Sequence, residues 1–99
     1  MTATLEIVTF ALNPGTDEAA FLRAAEAAGA ALKAMPGFVA RRLGRGEDGA
    51  WVDVAEWTDM ASAKRAAETF HTLPAAQPFC AMIDMATARM AHHAVAAAS

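Results

Sequence analysis

MPGFVARRLGRGEDGAWVDVAEW, residues 35–57, decides the fold. Phe38–Arg45 reads as a strand, Gly46–Gly49 turns the chain, and residues 50–57 read as the antiparallel return. Alternation along the return puts Trp51, Asp53, Ala55 and Trp57 on one face and Val52, Val54 and Glu56 on the other. Working outward, Met35-Pro36-Gly37 ends an upstream helix whose stripe is Phe21, Ala25, Ala28, Leu32 and Met35. Thr16 is its expected N-cap, with Asp17 and Glu18 in the first turn against the helix dipole. Asn13-Pro14-Gly15 separates that helix from a strand over 4–12, TLEIVTFAL. In this strand Glu6, Val8, Phe10 and Leu12 share one face, and both faces are largely apolar.

Downstream, Thr58 or Asp59 caps a second helix running to about Phe70. Ala63, Ala66, Ala67 and Phe70 form its stripe, and Ser62, Lys64, Arg65 and Glu68 look outward. Pro74 and Pro78 then lead into a short helical turn over 79–84. MATARMAHHA, residues 85–94, is the fourth strand that the topology demands, and 95–99 reads as a frayed tail. The chain is one domain, 1–99, of α+β class. It is a β-α-β-β-α-β ferredoxin-like sandwich, a four-stranded antiparallel sheet with two helices on one face. The uncovered sheet face carries too much apolar surface for a monomer, so a homodimer through that face is expected.

Composition narrows the function classes. A domain of 99 residues buries only a modest fraction of its surface. The hydrophobic content of 56% overstates core-forming bulk, because 28 of those residues are alanine. A net charge of −3, with Arg41, Arg42 and Arg45 split between two strand faces, argues against a nucleic-acid surface. One cysteine, Cys80 between Phe79 and Ala81, excludes an intramolecular disulfide and a Cys-rich zinc site. No secretion signal and no membrane-length apolar run is present, which points to the cytoplasm. The sequence also lacks a glycine-rich phosphate loop, a nucleophile elbow and a paired-carboxylate motif.

Few residues carry chemistry. His71 ends the second helix, where an imidazole can take a proton near neutral pH or simply complement the helix C-terminus. His92 and His93 point to opposite strand faces and have no clear third ligand, so no metal is expected. Asp53 between two indoles is either an acid raised by desolvation or the partner of Arg41 or Arg42 across the hairpin. Arg89 can bind a substrate oxygen or make a cross-strand ion pair. Met82, Met85 and Met90 either line an adaptable pocket or fill the core.

Pro36-Gly37-Phe38-Val39 after a helix, an Arg-rich strand, and WVDVAEW leading into an Ala-rich helix resemble the dimeric α/β-barrel family. Within it the chain is similar to antibiotic-biosynthesis-monooxygenase-like domains over residues 4–94. The resemblance implies a pocket between sheet and helices and leaves the reaction open, since the family includes cofactor-independent oxygenases of polycyclic phenols and anthrones, haem-degrading oxygenases and many domains without an assigned activity. The family's usual helix-two His, about nine residues after the Trp, corresponds to Ala66 here, so His71 is the nearest imidazole. Asn13 lies in a turn rather than within strand one, and helix two has no Trp, which argues against haem degradation. The chain also has no Tyr.

The expectation is a cytoplasmic homodimer with an apolar pocket, oxidising an aromatic or quinol-like small molecule without a cofactor. His71 is the candidate catalytic residue, and Trp57, Asp53, Phe10, Phe79 and Arg89 are the candidate substrate-binding residues. The alternatives are a non-catalytic small-molecule-binding domain of the same fold, or an isomerase or cyclase.

Overall fold

The computed structural model describes residues 2–99. The chain runs β1 (Thr4–Leu12), α1 (Glu18–Lys33), β2 (Phe38–Arg45), β3 (Trp51–Trp57) and α2 (Met60–Thr69). Two 3₁₀ turns, Phe70–Thr72 and Pro74–Ala76, a short α3 (Gln77–Met82) and β4 (Ile83–Ala94) follow. The four strands form one sheet in the order β2-β3-β1-β4, antiparallel throughout. This is the ferredoxin-like β-α-β-β-α-β arrangement read from the hairpin outward, with α3 added before the last strand.

Local chemistry sets the boundaries. Asp17, not Thr16, caps α1: its carboxylate accepts from the Ala20 amide at 3.1 Å, while the Thr16 hydroxyl donates back to the Asn13 carbonyl. The carboxylate one residue closer to the helix takes the cap, and the threonine hydroxyl is already committed to the Asn13 carbonyl. Asp59 caps α2, accepting from the Ser62 amide at 2.7 Å. The last helical turn before β4 closes two residues earlier than the sequence suggests, because Ile83 is already paired with Leu12.

Ser62 also departs from the expectation of an outward position. It is buried beneath Gly37, whose φ is +85°. A Cβ at Gly37 would come within 2.5 Å of the Ser62 side chain, so the turn between α1 and β2 needs glycine for both conformation and space.

Sheet register decides which side chains meet. Glu6 stands opposite Ala55 on β3 and His92 on β4; Val8 stands opposite Asp53 and Met90. All of these face the helices, as do Phe10, Trp51 and Trp57. The register shifts between Thr9 and Ala11, where the Ala11 amide donates to the Thr87 hydroxyl. On the opposite sheet face Leu5, Ile7, Val52 and Val54 are half-buried. Among the described residues no helix is long and apolar enough to cross a membrane.

Candidate functional site

Two hydrophobic clusters lie between sheet and helices. Under α1, Phe10, Phe21, Trp51 and Phe79 pack ring on ring, with Phe21 fully buried and 4.9 Å from Trp51 between centroids. Under α2 the helix contributes only Ala63 and Ala66, set against Leu32, Ala55 and Trp57. Methyl groups do not reach as far toward the sheet as a phenyl ring. A cavity of about 260 Å³ remains there, near the lower end of the range for small-molecule sites.

The sheet supplies the floor of this cavity through Glu6, Val8, Phe10, Asp53, Ala55 and Trp57. The helical side supplies Ala66, Ala67, Phe70, His71, Phe79 and Cys80. Met85 and Met90 of β4 also line it and are 62% and 52% exposed, so they mark its mouth.

His71, Trp57, Asp53, Phe10 and Phe79 therefore converge on one cavity. Arg89 does not. It pairs with Thr9 on the sheet face away from the cavity, and its Nη1 donates to the carbonyls of Ala86 and Ala88 rather than to an acid or a pocket. The bulge in β4 turns the Arg89 side chain back onto its own strand. His71 is an exposed residue on the cavity wall, and no described side chain hydrogen-bonds its ring.

Two carboxylates sit in the floor, each with its own basic partner. Arg41 holds Asp53 through two parallel bonds, Nε to Oδ1 at 2.9 Å and Nη2 to Oδ2 at 2.8 Å. The same guanidinium donates to the Ala25 carbonyl of α1 and lies 5.1 Å above the Phe79 ring centre. The hairpin pairing between β2 and β3 thus supplies the partner of Asp53, and Arg41 rather than Arg42 is on the right face. Glu6 faces His92 with Oε2 and Nε2 3.0 Å apart; only 13% of the Glu6 side chain and 17% of the His92 side chain is exposed. Burial pushes the Glu6 carboxyl above its ordinary value. The bond and charge from His92 work against that, and the neighbouring Asp53 charge adds to it. Burial likewise raises the Cys80 thiol, which favours its protonated form.

Trp57 is fully buried, and its indole Nε1–H is the one buried side-chain donor among the described residues without an acceptor. A buried donor left unpaired costs about 1–3 kcal/mol. It lies in the residue that closes the most recognisable motif of the sequence, at the cavity wall.

No protein-family model matches the sequence, and no curated protein matches it. Solved structures do. A variant of SnoaB, a cofactor-independent oxygenase from Streptomyces nogalater, superposes with a TM-score of 0.78 at 23% identity, covering 99% of this chain and 97% of that one. A protein from Nitrosomonas europaea, provisionally assigned as an antibiotic biosynthesis monooxygenase, gives a TM-score of 0.75 at 15% identity, covering 96% and 91%. The fold is that of the antibiotic-biosynthesis-monooxygenase-like proteins. A dimeric protein of unknown function and ferredoxin-like fold from Bacteroides fragilis matches at a TM-score of 0.64 and 14% identity, covering 94% and 96%.

The Glu6–His92 pair escapes a reading of the sequence alone. A glutamate on an otherwise apolar strand face is the available signal. Its partner depends on the β1–β4 register, which the alanine-rich fourth strand does not display.

Proposed function

We propose that the protein is a homodimer that takes a flat aromatic or quinol-like molecule into this cavity and oxidises it with dioxygen, using no bound cofactor. The observation that carries this reading is the cavity that the short α2 side chains leave against Leu32, Ala55 and Trp57, walled by Phe10, Phe70 and Phe79. A flat aromatic ring fills the space the α2 alanines leave and packs against these aromatic walls. The likeness to a cofactor-independent oxygenase supports the same class of chemistry.

For an anthrone-type substrate the balance is simple. A ring methylene and dioxygen give a ring carbonyl and water. The substrate's own enolate donates the electrons, two protons leave the carbon, and two end on the departing water. The protein's task is to bind, to exclude bulk water and to move protons. His71, at the cavity wall and exposed to solvent, is the candidate to exchange a proton between substrate and water. Dimerisation covers the half-buried Leu5, Ile7, Val52 and Val54, and the dimeric structural neighbour supports it.

One observation favours the non-catalytic alternative. No described side chain orients the His71 ring, whereas a working base is normally held in place. Oxygen consumption with a panel of anthrones and quinols decides between them. Uptake by the wild type that falls in His71→Ala and Trp57→Phe supports the oxygenase. Tight binding without uptake by any member of the panel leaves a binding domain.

A further inference from the structure

The floor of the cavity holds a second acid–base group, and its surroundings differ from those of His71. Glu6 projects from the middle of β1, where strand pairing on both sides fixes its backbone. Its Oε2 is engaged by His92, while Oε1 has no hydrogen-bond partner among the described residues. The carboxylate therefore presents one occupied and one vacant oxygen to an apolar space.

Every other titratable group near it is accounted for. Asp53 on β3 is locked by Arg41 of β2, Cys80 of α3 is held protonated by burial, and His71 stands where α2 ends, open to solvent. Asp53 has both oxygens bound by the guanidinium and is poorly placed to accept a proton. Glu6 is the carboxylate left free to do so.

We propose that Glu6, oriented by His92, is the residue that takes the proton from carbon at the buried end of the substrate, the class of substrate being a ring ketone with an acidic methylene. The inference rests on the reading that the cavity takes an aromatic ketone or quinol, and it deepens that reading. In the step, the C–H bond breaks and an O–H bond forms at Glu6 Oε1. The electron pair stays on the substrate as its enolate, and the negative charge passes from carboxylate to enolate. The neighbouring His92 is a positioning residue: its ring nitrogen holds Oε2 and leaves Oε1 facing the substrate. Glu6 and His71 then serve the two ends of one substrate, at the floor and at the solvent-facing wall, which matches a reaction that moves more than one proton.

The test uses anthrone itself, in deuterium oxide under nitrogen, and follows loss of the methylene proton signal by NMR. Without oxygen, the readout is proton abstraction alone. The wild type is expected to accelerate exchange, and Glu6→Gln to reduce the catalysed rate about 100-fold, the lower end of a general base's contribution. Anthrone binding, read by quenching of indole fluorescence, stays within about threefold, as expected for a near-isosteric change. Glu6→Asp, which keeps a carboxylate but withdraws it by one methylene, recovers part of the rate and guards against a folding artefact.

His92→Gln is expected to move the acid limb of the exchange profile to higher pH, because a buried carboxylate without the imidazole that favours its ionised form is harder to ionise. A purely structural role for His92 would lower exchange equally at all pH values. Exchange that is unchanged in Glu6→Gln overturns the inference and leaves the oxygenase reading standing. No acceleration by the wild type overturns the inference as well, and oxygen uptake on the same sample then shows whether the oxygenase reading survives without it.

Discussion

The two halves of the space between sheet and helices are built from the same strands but closed by different helices. Under α1, Phe21 reaches down to Phe10, Trp51 and Phe79 and leaves no room. Under α2, Ala63 and Ala66 stop short, and the wall of Trp57, Ala55 and Leu32 faces a void. Phe70 packs against both clusters and marks the border. The cavity is thus a consequence of side-chain length on one helix, set off by a rigid, aromatic-filled neighbour. One half secures the fold so that the other can stay open.

The sharpest way to break this contrast is in the filled half. Phe21→Ala removes a fully buried ring that touches three others. It is expected to cost about 3–5 kcal/mol in urea unfolding, within the range for truncating a buried phenylalanine. For a domain of this size that is a large share of the total stability. A loss below about 1 kcal/mol would mean that the α1 half is not the anchor described above.

Next in size is Arg41, whose guanidinium ties β2 to β3 and to α1. Arg41→Ala leaves Asp53 buried without its cation, at a cost of about 3 kcal/mol. The double variant Arg41→Met with Asp53→Leu is expected to regain most of that stability, because it removes both charges together. If the double variant is as unstable as the single one, the contact to the Ala25 carbonyl, rather than the ion pair, holds the elements together.

The open half is probed from the other direction. Ala67→Leu adds a branched side chain to the cavity wall. It is expected to raise stability by about 1 kcal/mol, as cavity-filling changes commonly do, and to abolish binding of any aromatic ligand. Higher stability with binding retained would place the ligand elsewhere.

This contrast shows what the sequence could and could not display. The hairpin, the alternation of β3 and the stripe of α1 follow from nearest-neighbour chemistry, so residues 35–57 carry the fold. An arginine of β2 as one reading of Asp53's partner was legible too, but not which one: Asp53 stands opposite Leu43, and Arg41, opposite Ala55, reaches it as the diagonal neighbour on the same face. The alanine stripe of α2 was visible as small side chains. That it would leave a void depends on a helix-to-sheet distance set by distant residues such as Phe38 and Trp57, whose rings meet edge to face at 5.6 Å. The Glu6–His92 pair and the diversion of Arg89 both depend on where β4 shifts its register. No local pattern in MATARMAHHA encodes that shift.

The smallest expected effect lies at the start of α2, the helix whose short side chains make the cavity. The Asp59 carboxyl is held below its ordinary value, chiefly by the bond from the Ser62 amide, with further help from the Ser62 hydroxyl and the Arg65 charge. A carboxyl with a depressed folded value stabilises the fold above its unfolded value and loses that contribution as the pH falls through the folded one. Glu6 has the opposite sign: with its folded value raised, its contribution is present at acid pH and lost as the pH rises. The melting profile of the wild type alone therefore mixes the two. A comparison with Asp59→Asn separates them, because asparagine also caps well but does not titrate. The wild type is expected to melt slightly above Asp59→Asn at pH 7, and the two curves to converge as the pH drops below the ordinary carboxylate range. Curves that stay parallel across that range would show that the cap acts through its hydrogen bond alone, and that charge at the N-terminus of α2 contributes nothing to holding the cavity's roof in place.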